Sequence, residues 1–224
     1  MNYLDRYVNH TGGAYGVDTI GCVVGLSLGF NNHVHFRPVG NERLSKRLRV
    51  LMLQPTVVSR ESLNLAKVKI NSLLNKNYKG GISADLQFRN YFQVVNSDAI
   101  FCFSRITGNS SVAKGTNTAL QLAIALNKDA YVFDTLTFKW YKYIEEVLSL
   151  CEIDYIPVLT ERYAIVGTRD VEDYKVLDRE TGLWVSRPTY LGKGTEMKVE
   201  RAIRELYVST LDYESFITSV KECL

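Results

Sequence analysis

The chain has 224 residues, 46% of them hydrophobic, which is enough to bury the core of one large α/β domain. Its 27 Lys and Arg residues exceed its 24 Asp and Glu residues by only three, and these charges are spread along the chain. A long nucleic-acid backbone is therefore not an expected partner. No segment approaches the roughly 18 apolar residues of a membrane span, and the N-terminus lacks the pattern of a signal peptide. We expect a cytoplasmic protein without a membrane partner.

The four cysteines, Cys22, Cys102, Cys151 and Cys223, lie far apart in the sequence. Their spacing matches neither a disulfide framework nor a zinc-binding pattern. The three histidines, His10, His33 and His35, show no metal-ligand spacing either, and a packed or surface role is favoured for His33 and His35, which share one face of a short strand. We therefore expect neither a metal site nor a cofactor.

Short apolar segments alternate with longer periodic ones, which is the pattern of parallel strands joined by helices. The predicted strands are residues 7–10, 33–36, 98–104, 130–134, 155–159 and 163–166. The predicted helices are residues 17–29, 60–74, 86–95, 116–127, 138–150 and 196–208, with a short helix or a frayed end at 213–223. The fold class that follows is α/β, a Rossmann-like, mostly parallel sheet with helices on both faces.

Three segments allow a more specific prediction. Residues 98–104 (DAIFCFS) are apolar on both faces, which is typical of a central parallel strand. Residues 116–127 are apolar almost all round, so this helix needs sheet on one side and protein on the other. Residues 174–177 and 183–185 flank a turn-like segment at 178–182, which indicates a small inserted hairpin.

The first candidate for ligand binding is the segment TGGAYGVD, residues 11–18. Paired glycines permit a tight turn after a strand and let a ligand approach the backbone. The N-terminus of the following helix offers free N–H groups to an anion. Asp18 would either cap that helix or bind a ribose hydroxyl. A purely structural turn is the alternative.

Two further turns follow predicted strands. Lys114, Gly115, Thr116 and Asn117 lead into the apolar helix, and a helix cap with a solvated lysine is the alternative explanation. Gly167, Thr168 and Arg169 follow the strand at 163–166. Arg169 would either contact a phosphate with its planar guanidinium or form an ion pair with Asp170 or a neighbour. Turns of this kind meet at the carboxyl edge of a parallel sheet, where α/β proteins bind ligands.

Taken together, these motifs resemble the SLOG superfamily. This Rossmann-like group includes the LOG phosphoribohydrolases, the DNA-processing protein DprA and the molybdenum-cofactor carriers. The chain is most similar to uncharacterised phage and bacterial members with an HSGGAxGAD start, an RNW segment, a GGTxxA turn and a late GIGTR strand. The matching segments, within residues 7–208, are HTGGAYGVD at 10–18, RNY at 89–91, KGTNTA at 114–119, AYVFD at 130–134 and YAIVGTR at 163–169.

The resemblance implies a nucleotide-binding domain at residues 1–210 and a C-terminal extension at 211–224. Its site would be built from the two glycine turns with Arg89, Asn90 and Arg169 as rim or phosphate contacts. The residues implied are His10, Thr11, Gly12, Gly13, Ala14, Asp18, Arg89, Asn90, Lys114, Gly115, Thr116, Asn117, Gly167, Thr168 and Arg169. This chain departs from the pattern at Lys114, at Tyr91 and in an insertion of about twenty residues at 172–192.

One departure concerns catalysis. The LOG enzymes carry a PGGxGTxxE motif whose glutamate assists cleavage of the bond between base and ribose. In this chain Ala119 stands at the position of that glutamate. An alanine cannot supply a general acid or base, although Asp18 or Asp134 could serve instead. The sequence also lacks a GxSxG elbow and a GxxxxGK[ST] phosphate loop. The aromatic and basic segment at 138–143 fits a solvated amphipathic helix better than a base-stacking surface.

Three functions stay open at this stage. The leading one is binding or sequestration of a nucleotide-derived small molecule, such as an ADP-ribose-like or cyclic nucleotide signal. The resemblance to phage proteins further implies a role against host nucleotide-signalling defence. The alternatives are a hydrolase of an N-glycosidic or phosphate bond and a DprA-like DNA-binding protein. Because the segments at 116–127 and 138–143 carry much apolar surface, we also expect a homo-oligomer.

Overall fold

A computed structural model describes residues 3–169, 174–177, 184–187 and 194–222 of the chain. Its helices are α1 (Val17–Ser27), α2 (Lys46–Val50), α3 (Arg60–Leu74), α4 (Ile82–Val95), α5 (Thr116–Ala125) and α6 (Thr195–Glu222). Its strands are β1 (Val8–Thr11), β2 (Asn32–Pro38), β3 (Pro55–Val58), β4 (Ala99–Ser104), β5 (Ile106–Gly108), β6 (Ser111–Val112), β7 (Asp129–Asp134), β8 (Trp140–Ile144), β9 (Ser149–Ile153), β10 (Arg162–Gly167), β11 (Tyr174–Leu177) and β12 (Trp184–Arg187).

Eight strands form one sheet in the order β3-β2-β1-β10-β4-β7-β8-β9. The first six are parallel, and β8 and β9 extend the sheet as an antiparallel pair. Helices pack on both faces, so the predicted α/β class with a Rossmann-like sheet is confirmed. In chain order, β1, β2 and β3 run towards one edge of the sheet, and β4 and β7 lie on the other side of β1. The late strand β10 lies between β1 and β4.

Alternating residues of the central strands feed two separate cores. Phe101 and Phe103 of β4 pack with α1 and α6, whereas Ile100 and Cys102 pack on the opposite face with α3, α4 and α5. All six residues of β4 are buried, which confirms the prediction that this strand is central. Each face therefore holds its helices by burial of apolar surface rather than by surface ion pairs.

The helix α3 begins and ends at the residues predicted from its periodicity. The Ser59 side chain accepts a hydrogen bond from the Ser62 N–H, and Asn75 ends the helix in the left-handed conformation. Leu63, Ala66 and Ile70 are its buried positions, spaced by three and four residues. The segment between the predicted strand at 33–36 and α3, for which no element was predicted, contains α2 and β3.

The predicted helix at 138–150 is wrong. Phe138 adopts a positive φ of 58°, and the chain then forms β8 and β9, which pair antiparallel. Trp140 is buried against Phe103 and Phe133, with ring centroids 5.3 and 5.4 Å away. Aromatic side chains at alternating positions favour a strand on a pleated surface, and this packing overrides the helical periodicity.

The predicted strand at 155–159 is also wrong, because this segment pairs with no strand. Leu159 is nevertheless buried, and its N–H donates to the Thr210 hydroxyl of α6 at 2.9 Å. The predicted helices at 196–208 and 213–223 are one continuous helix, α6. Residue 210 is therefore not an element boundary, and Glu214 beyond it accepts a hydrogen bond from Tyr7 at 2.6 Å.

The inserted hairpin is confirmed in its strands, because β11 and β12 pair antiparallel. The turn at 178–182 lies outside the described residues, as does most of the insertion. Helix α5 contacts β4, β7 and β10 on one side and α3 and α4 on the other, as predicted. The apolar surface of α5, one of the two segments behind the oligomer prediction, is thus covered within one chain, and the oligomer stays a prediction. Among the described residues, no helix is long and apolar enough to span a membrane.

Candidate functional site

A cavity of about 350 Å³ opens at the carboxyl edge of the sheet, next to the end of β10. This position is where the chain's strand order reverses, the usual ligand position in open α/β sheets. Four elements surround the cavity: the start of α1, one face of α4, the start of α5 and the end of β10. Its lining residues are Asp18, Leu86, Gln87, Arg89, Asn90, Gln93, Lys114, Gly115, Thr116, Val166, Gly167, Thr168 and Arg169.

Helix α4 supplies the polar wall of the cavity. Leu86, Arg89, Asn90 and Gln93 recur at three- and four-residue spacing and so share one helical face. The Asn90 amide donates to the Gly115 carbonyl at 3.3 Å, and the Gln93 amide donates to the His10 carbonyl at 3.4 Å. These two bonds tie α4 to the segments that precede α5 and α1.

The turn before α5 leaves backbone donors at the cavity. The N–H groups of Asn117 and Thr118 bond to the carbonyls of Lys114 and Gly115 at 3.2 Å. For the Gly115 and Thr116 N–H groups, the described part of the chain supplies no partner, and no side chain caps the helix. Both residues line the cavity, so the positive end of α5 faces it.

The glycine turn before α1 is instead closed by the protein itself. Gly16 has a φ of 81°, and a Cβ there would lie 2.5 Å from the Thr168 carbonyl oxygen. The same carbonyl accepts a hydrogen bond from the Val17 N–H at 3.3 Å. A Cβ on Gly12 would lie 0.9 Å from the Arg89 Nη1 atom. These glycines are required because protein atoms, rather than a ligand, approach the backbone closely.

A buried cluster of basic groups lies behind the cavity. The Arg89 side chain is 7% exposed, and its Nη1 and Nη2 atoms donate to the same Asp18 oxygen, Oδ2, at 3.4 and 3.5 Å. Nη1 also donates to Gln93 at 3.1 Å, whereas the buried Nε has no hydrogen-bond partner in the described part of the chain. Arg37 of β2 is likewise buried and donates to the Gly12 carbonyl at 3.4 Å and to the Asn41 carbonyl at 2.9 Å.

The arginines of this cluster destabilise one another's charge. Burial lowers the pKa of Arg89, Asp18 opposes that shift, and Arg169 adds to it. Burial lowers the pKa of Arg37 to about 10, with Arg89 and Arg169 contributing, while Asp18 and Glu42 act in the opposite direction. A site in which cations repel one another favours an anionic ligand.

The structure brings together nine of the fifteen predicted site residues at the cavity: Asp18, Arg89, Asn90, Lys114, Gly115, Thr116, Gly167, Thr168 and Arg169. His10, Thr11, Gly12, Gly13, Ala14 and Asn117 do not line it. Asn117 accepts a hydrogen bond from the Val112 N–H at 3.0 Å, and the His10 ring stacks on Phe36 with centroids 6.0 Å apart. Asp18 accepts from the Ala14 N–H at 3.4 Å, so it does bind the backbone near its helix start.

Sequence reasoning missed Arg37, Gln87 and Gln93. Gln93 follows Arg89 by four residues, so the helical period alone places both on the same face. Arg37 directly follows the strand predicted at 33–36, which puts it at the carboxyl edge of the sheet. The sequence contains both signals, whereas nothing in it indicates that Arg37 is buried.

Asp134, the other carboxylate considered for catalysis, has structural partners. Asp134 accepts hydrogen bonds from the N–H groups of Ile106, Leu136 and Thr137 and from the Thr137 hydroxyl, and it does not line the cavity. Burial lowers the pKa of His10, His33 and His35 to about 4. Within the described ranges, no group of three His, Cys, Asp or Glu side chains could hold a metal ion.

Comparison with known proteins gives no assignment. No model of a known protein family, no curated protein and no solved structure matches this chain significantly. The function is therefore argued from the geometry of the cavity.

Proposed function

We propose that this chain binds a nucleotide-derived small molecule through its phosphate groups and does not turn it over. The observation that carries the proposal is the mutual repulsion of arginines at the cavity. Among the described residues, Arg89 and Arg169 line it together with one carboxylate, Asp18, and both arginines lower the pKa of the nearby Arg37. An anion that enters would relieve the repulsion among these cations.

The N–H groups of Gly115 and Thr116 at the start of α5, which have no partner among the described residues, support the same ligand class. Backbone donors at a helix N-terminus are a recurrent seat for phosphate oxygens. The side chains of Gln87, Asn90 and Gln93 line the cavity as uncharged polar groups, and the Asn90 and Gln93 amides also donate to protein carbonyls. A cavity of 350 Å³ lies within the range of about 300 to 1,000 Å³ that is usual for small-molecule sites.

Binding without turnover is favoured by the position of Asp18. Its Oδ2 oxygen already accepts hydrogen bonds from Arg89 and from the Ala14 N–H, so the carboxylate is engaged. A general acid or base must instead reach the proton that it transfers. The resemblance to SLOG proteins is compatible with an ADP-ribose-like or cyclic nucleotide ligand, and sequestration would lower the free concentration of such a signal.

The test exposes the purified protein to AMP, ADP-ribose, cyclic mononucleotides and cyclic dinucleotides and follows its thermal stability. The bound ligand is then recovered by denaturation and identified by mass spectrometry. A ligand at 100 times its Kd stabilises the folded state by about 2.7 kcal/mol, which thermal denaturation detects. We expect stabilisation by at least one ligand that is recovered unchanged.

A matched pair of variants locates the binding. Arg169 follows the carboxyl end of β10, whereas Arg162 begins the same strand at the opposite edge of the sheet and pairs with Asp98. Arg169→Ala should abolish the stabilisation, and Arg162→Ala should retain it. A recovered ligand of altered mass would make the protein an enzyme. Salt-sensitive retention of single-stranded DNA without nucleotide binding would support DNA handling instead.

A further inference from the structure

The side-chain amide of Asn90 has a fixed orientation. Its Nδ2 atom donates to the Gly115 carbonyl at 3.3 Å, and a carbonyl oxygen can only accept a hydrogen bond. Exchanging the amide nitrogen and oxygen would bring two acceptors face to face. The Nδ2 atom therefore belongs at Gly115, and the Oδ1 atom lies on the other side of the amide.

The Oδ1 atom of Asn90 is open to the cavity. Asn90 lines the cavity, and its side chain is more than nine-tenths buried, because the residue is only 8% exposed. Among the described residues no group donates to Oδ1, yet this oxygen is not sealed off in the interior as an unpaired atom. The accessible part of Asn90 thus includes a hydrogen-bond acceptor.

The other two amide side chains that line the cavity in the described chain have their oxygens engaged. Gln93 accepts from Arg89 at 3.1 Å and donates to a backbone carbonyl at 3.4 Å. Gln87 accepts from the Thr118 hydroxyl at 3.2 Å. Asn90 differs from both, because its donor is used within the protein and its acceptor is left for a ligand.

Asp18 adds a second acceptor to the same cavity. Its hydrogen bonds from Arg89 and from the Ala14 N–H all reach the Oδ2 atom, and the Oδ1 atom has no donor among the described residues. A ligand that fills this cavity therefore needs hydrogen-bond donors as well as phosphate.

An ionised phosphate cannot be the partner of the Asn90 oxygen, because its oxygens only accept hydrogen bonds. A ligand that displaces water from Oδ1 has to supply a donor in its place, since an unmet acceptor in a water-free contact is costly. The family resemblance implies a rim or phosphate contact for Asn90. The hydrogen bond to Gly115 favours the rim contact, with a donor group of the ligand.

We propose that Asn90 is a specificity-determining residue that accepts a hydrogen bond from a ribose hydroxyl of the ligand. The inference rests on the proposed function and specifies the ligand class as a ribonucleotide with free hydroxyl groups. Asn90 is bonded to Gly115, whose N–H group faces the phosphate in the proposed function, so the donor that meets Oδ1 lies close to the phosphate. In a 5′-nucleotide, the ribose hydroxyls lie closer to the phosphate than the amino group of the base does.

The primary test compares the affinity of the wild-type chain for AMP, 2′-deoxy-AMP, 3′-deoxy-AMP and IMP by calorimetry at constant ionic strength. We expect AMP to bind at least about tenfold more tightly than one of the two deoxy analogues, because the missing hydroxyl leaves the Asn90 oxygen unpaired. IMP keeps both hydroxyls and replaces the amino group of adenine by a carbonyl. It should bind within about threefold of AMP.

The outcomes of this comparison separate the inference from the proposed function. Equal binding of AMP and both deoxy analogues overturns the inference and leaves the proposed function standing. A preference for AMP over IMP alone places the donor on the base and also overturns it. If none of the four nucleotides binds, the inference fails, and stabilisation by the wider set of ligands decides the proposed function separately.

A substitution of Asn90 tests whether this residue makes the selection. Asn90→Ala removes the acceptor, so AMP should bind more weakly and the ratio of its affinity to that of the deoxy analogue should fall from about ten to about one. A purely structural role would weaken both ligands equally and keep the ratio. An unchanged ratio therefore overturns the inference.

Asn96→Ala is the matched control. Asn96 lies just beyond the end of α4, is exposed, and donates from Nδ2 to the Phe92 carbonyl at 2.7 Å. The control thus removes the same kind of hydrogen bond from the same helix, away from the cavity, and should keep both the affinity and the ratio of the wild type. Should Asn90→Ala not fold, the comparison of AMP with its deoxy analogues decides the inference, because it needs no variant.

Discussion

The two glycine turns at the carboxyl edge of the sheet look alike in sequence and differ in structure. The turn before α1 is filled by the chain itself, through Arg89 over Gly12 and the Thr168 carbonyl against Gly16. The turn before α5 is open, because a Cβ on Gly115 would meet no atom of the described residues within 4 Å. A glycine-rich turn therefore identifies a close approach to the backbone without saying whether protein or ligand makes it.

The difference moves the proposed binding site from the first turn to the second. Arg89 closes the first turn and, from the same position, lines the cavity beside the second. The first turn thus positions a buried cation, and the second turn carries N–H donors that have no partner among the described residues. The closed turn is expected to matter for stability, and the open turn for binding.

The largest expected effect comes from removing the cation that closes the first turn. Arg89→Met leaves Asp18, which is 6% exposed, without its guanidinium partner. We expect a loss of about 3 to 5 kcal/mol in the free energy of unfolding, the usual cost of breaking a buried ion pair from one side. Urea denaturation of the variant measures this loss.

The double variant Asp18→Asn with Arg89→Met provides the control. It removes both charges, so it should be more stable than Arg89→Met alone. If the double variant loses as much stability relative to the wild type as the two single variants lose together, the two side chains are not coupled. The closed turn would then not depend on their contact.

Acid should weaken the same region of the molecule. His10, His33 and His35 all lie in β1 and β2, and their pKa values are lowered from 6.5 to about 4. In the unfolded chain these histidines take up protons as the pH falls below about 6.5, whereas in the folded chain they do so only near pH 4. The free energy of unfolding therefore has its full value above pH 6.5 and declines as the pH falls towards 4. For His35, which is 1% exposed, the loss amounts to about 3 kcal/mol.

Hydrogen exchange at pH 5.5 and pH 7.5 measures where the acid acts. Around His35 the neighbouring groups are His33, whose ring stacks at 6.2 Å, and Cys22, whose sulfur lies 3.9 Å from Nε2. We expect β1, β2 and α1 to lose protection before β4 and β7 do. An equal loss of protection in all strands of the sheet would show that the histidines do not determine where acid first opens the structure.

The smallest expected effect is the contrast between two glycine substitutions. Gly16→Ala places a Cβ 2.5 Å from a backbone oxygen at a φ of 81°, which should cost about 2 kcal/mol of stability. Gly115 has a φ of −66°, and a Cβ there would point into open space. The free energy of unfolding of Gly115→Ala should therefore differ from that of the wild type by less than about 0.5 kcal/mol. Thermal denaturation compares the two, and similar losses would contradict the assignment of one turn as closed and the other as open.

The sequence predicts the fold wherever burial and periodicity agree. The helix at 60–74 and the central strand at 98–104 have side-chain patterns that only one type of element satisfies. The segment at 138–150 fails because Trp140 and its aromatic neighbours fit helical spacing equally well. Its strand conformation depends on contact with Phe103 and Phe133, which are distant in sequence.

The sequence places the residues that line the candidate cavity at one edge of the sheet, and it indicates only some of them. Strand ends followed by glycine place Lys114, Gly115 and Gly167 at one edge of the sheet, and the structure brings them to one cavity. The closure of the first turn could not be predicted, because it depends on a side chain of α4 lying over Gly12. Local sequence gives no information on which long side chain fills the space that a glycine leaves.

The buried position of Trp140 also gives the molecule an optical reporter. The chain has two tryptophans, Trp140 in β8 and Trp184 in β12 of the inserted hairpin. Trp140 is 6% exposed, so its fluorescence emission should shift to longer wavelength only when the sheet opens. In a Trp140→Phe variant, the remaining signal comes from the hairpin that follows Arg169 in the chain. The two emissions can thus be used to follow the sheet and the insertion separately.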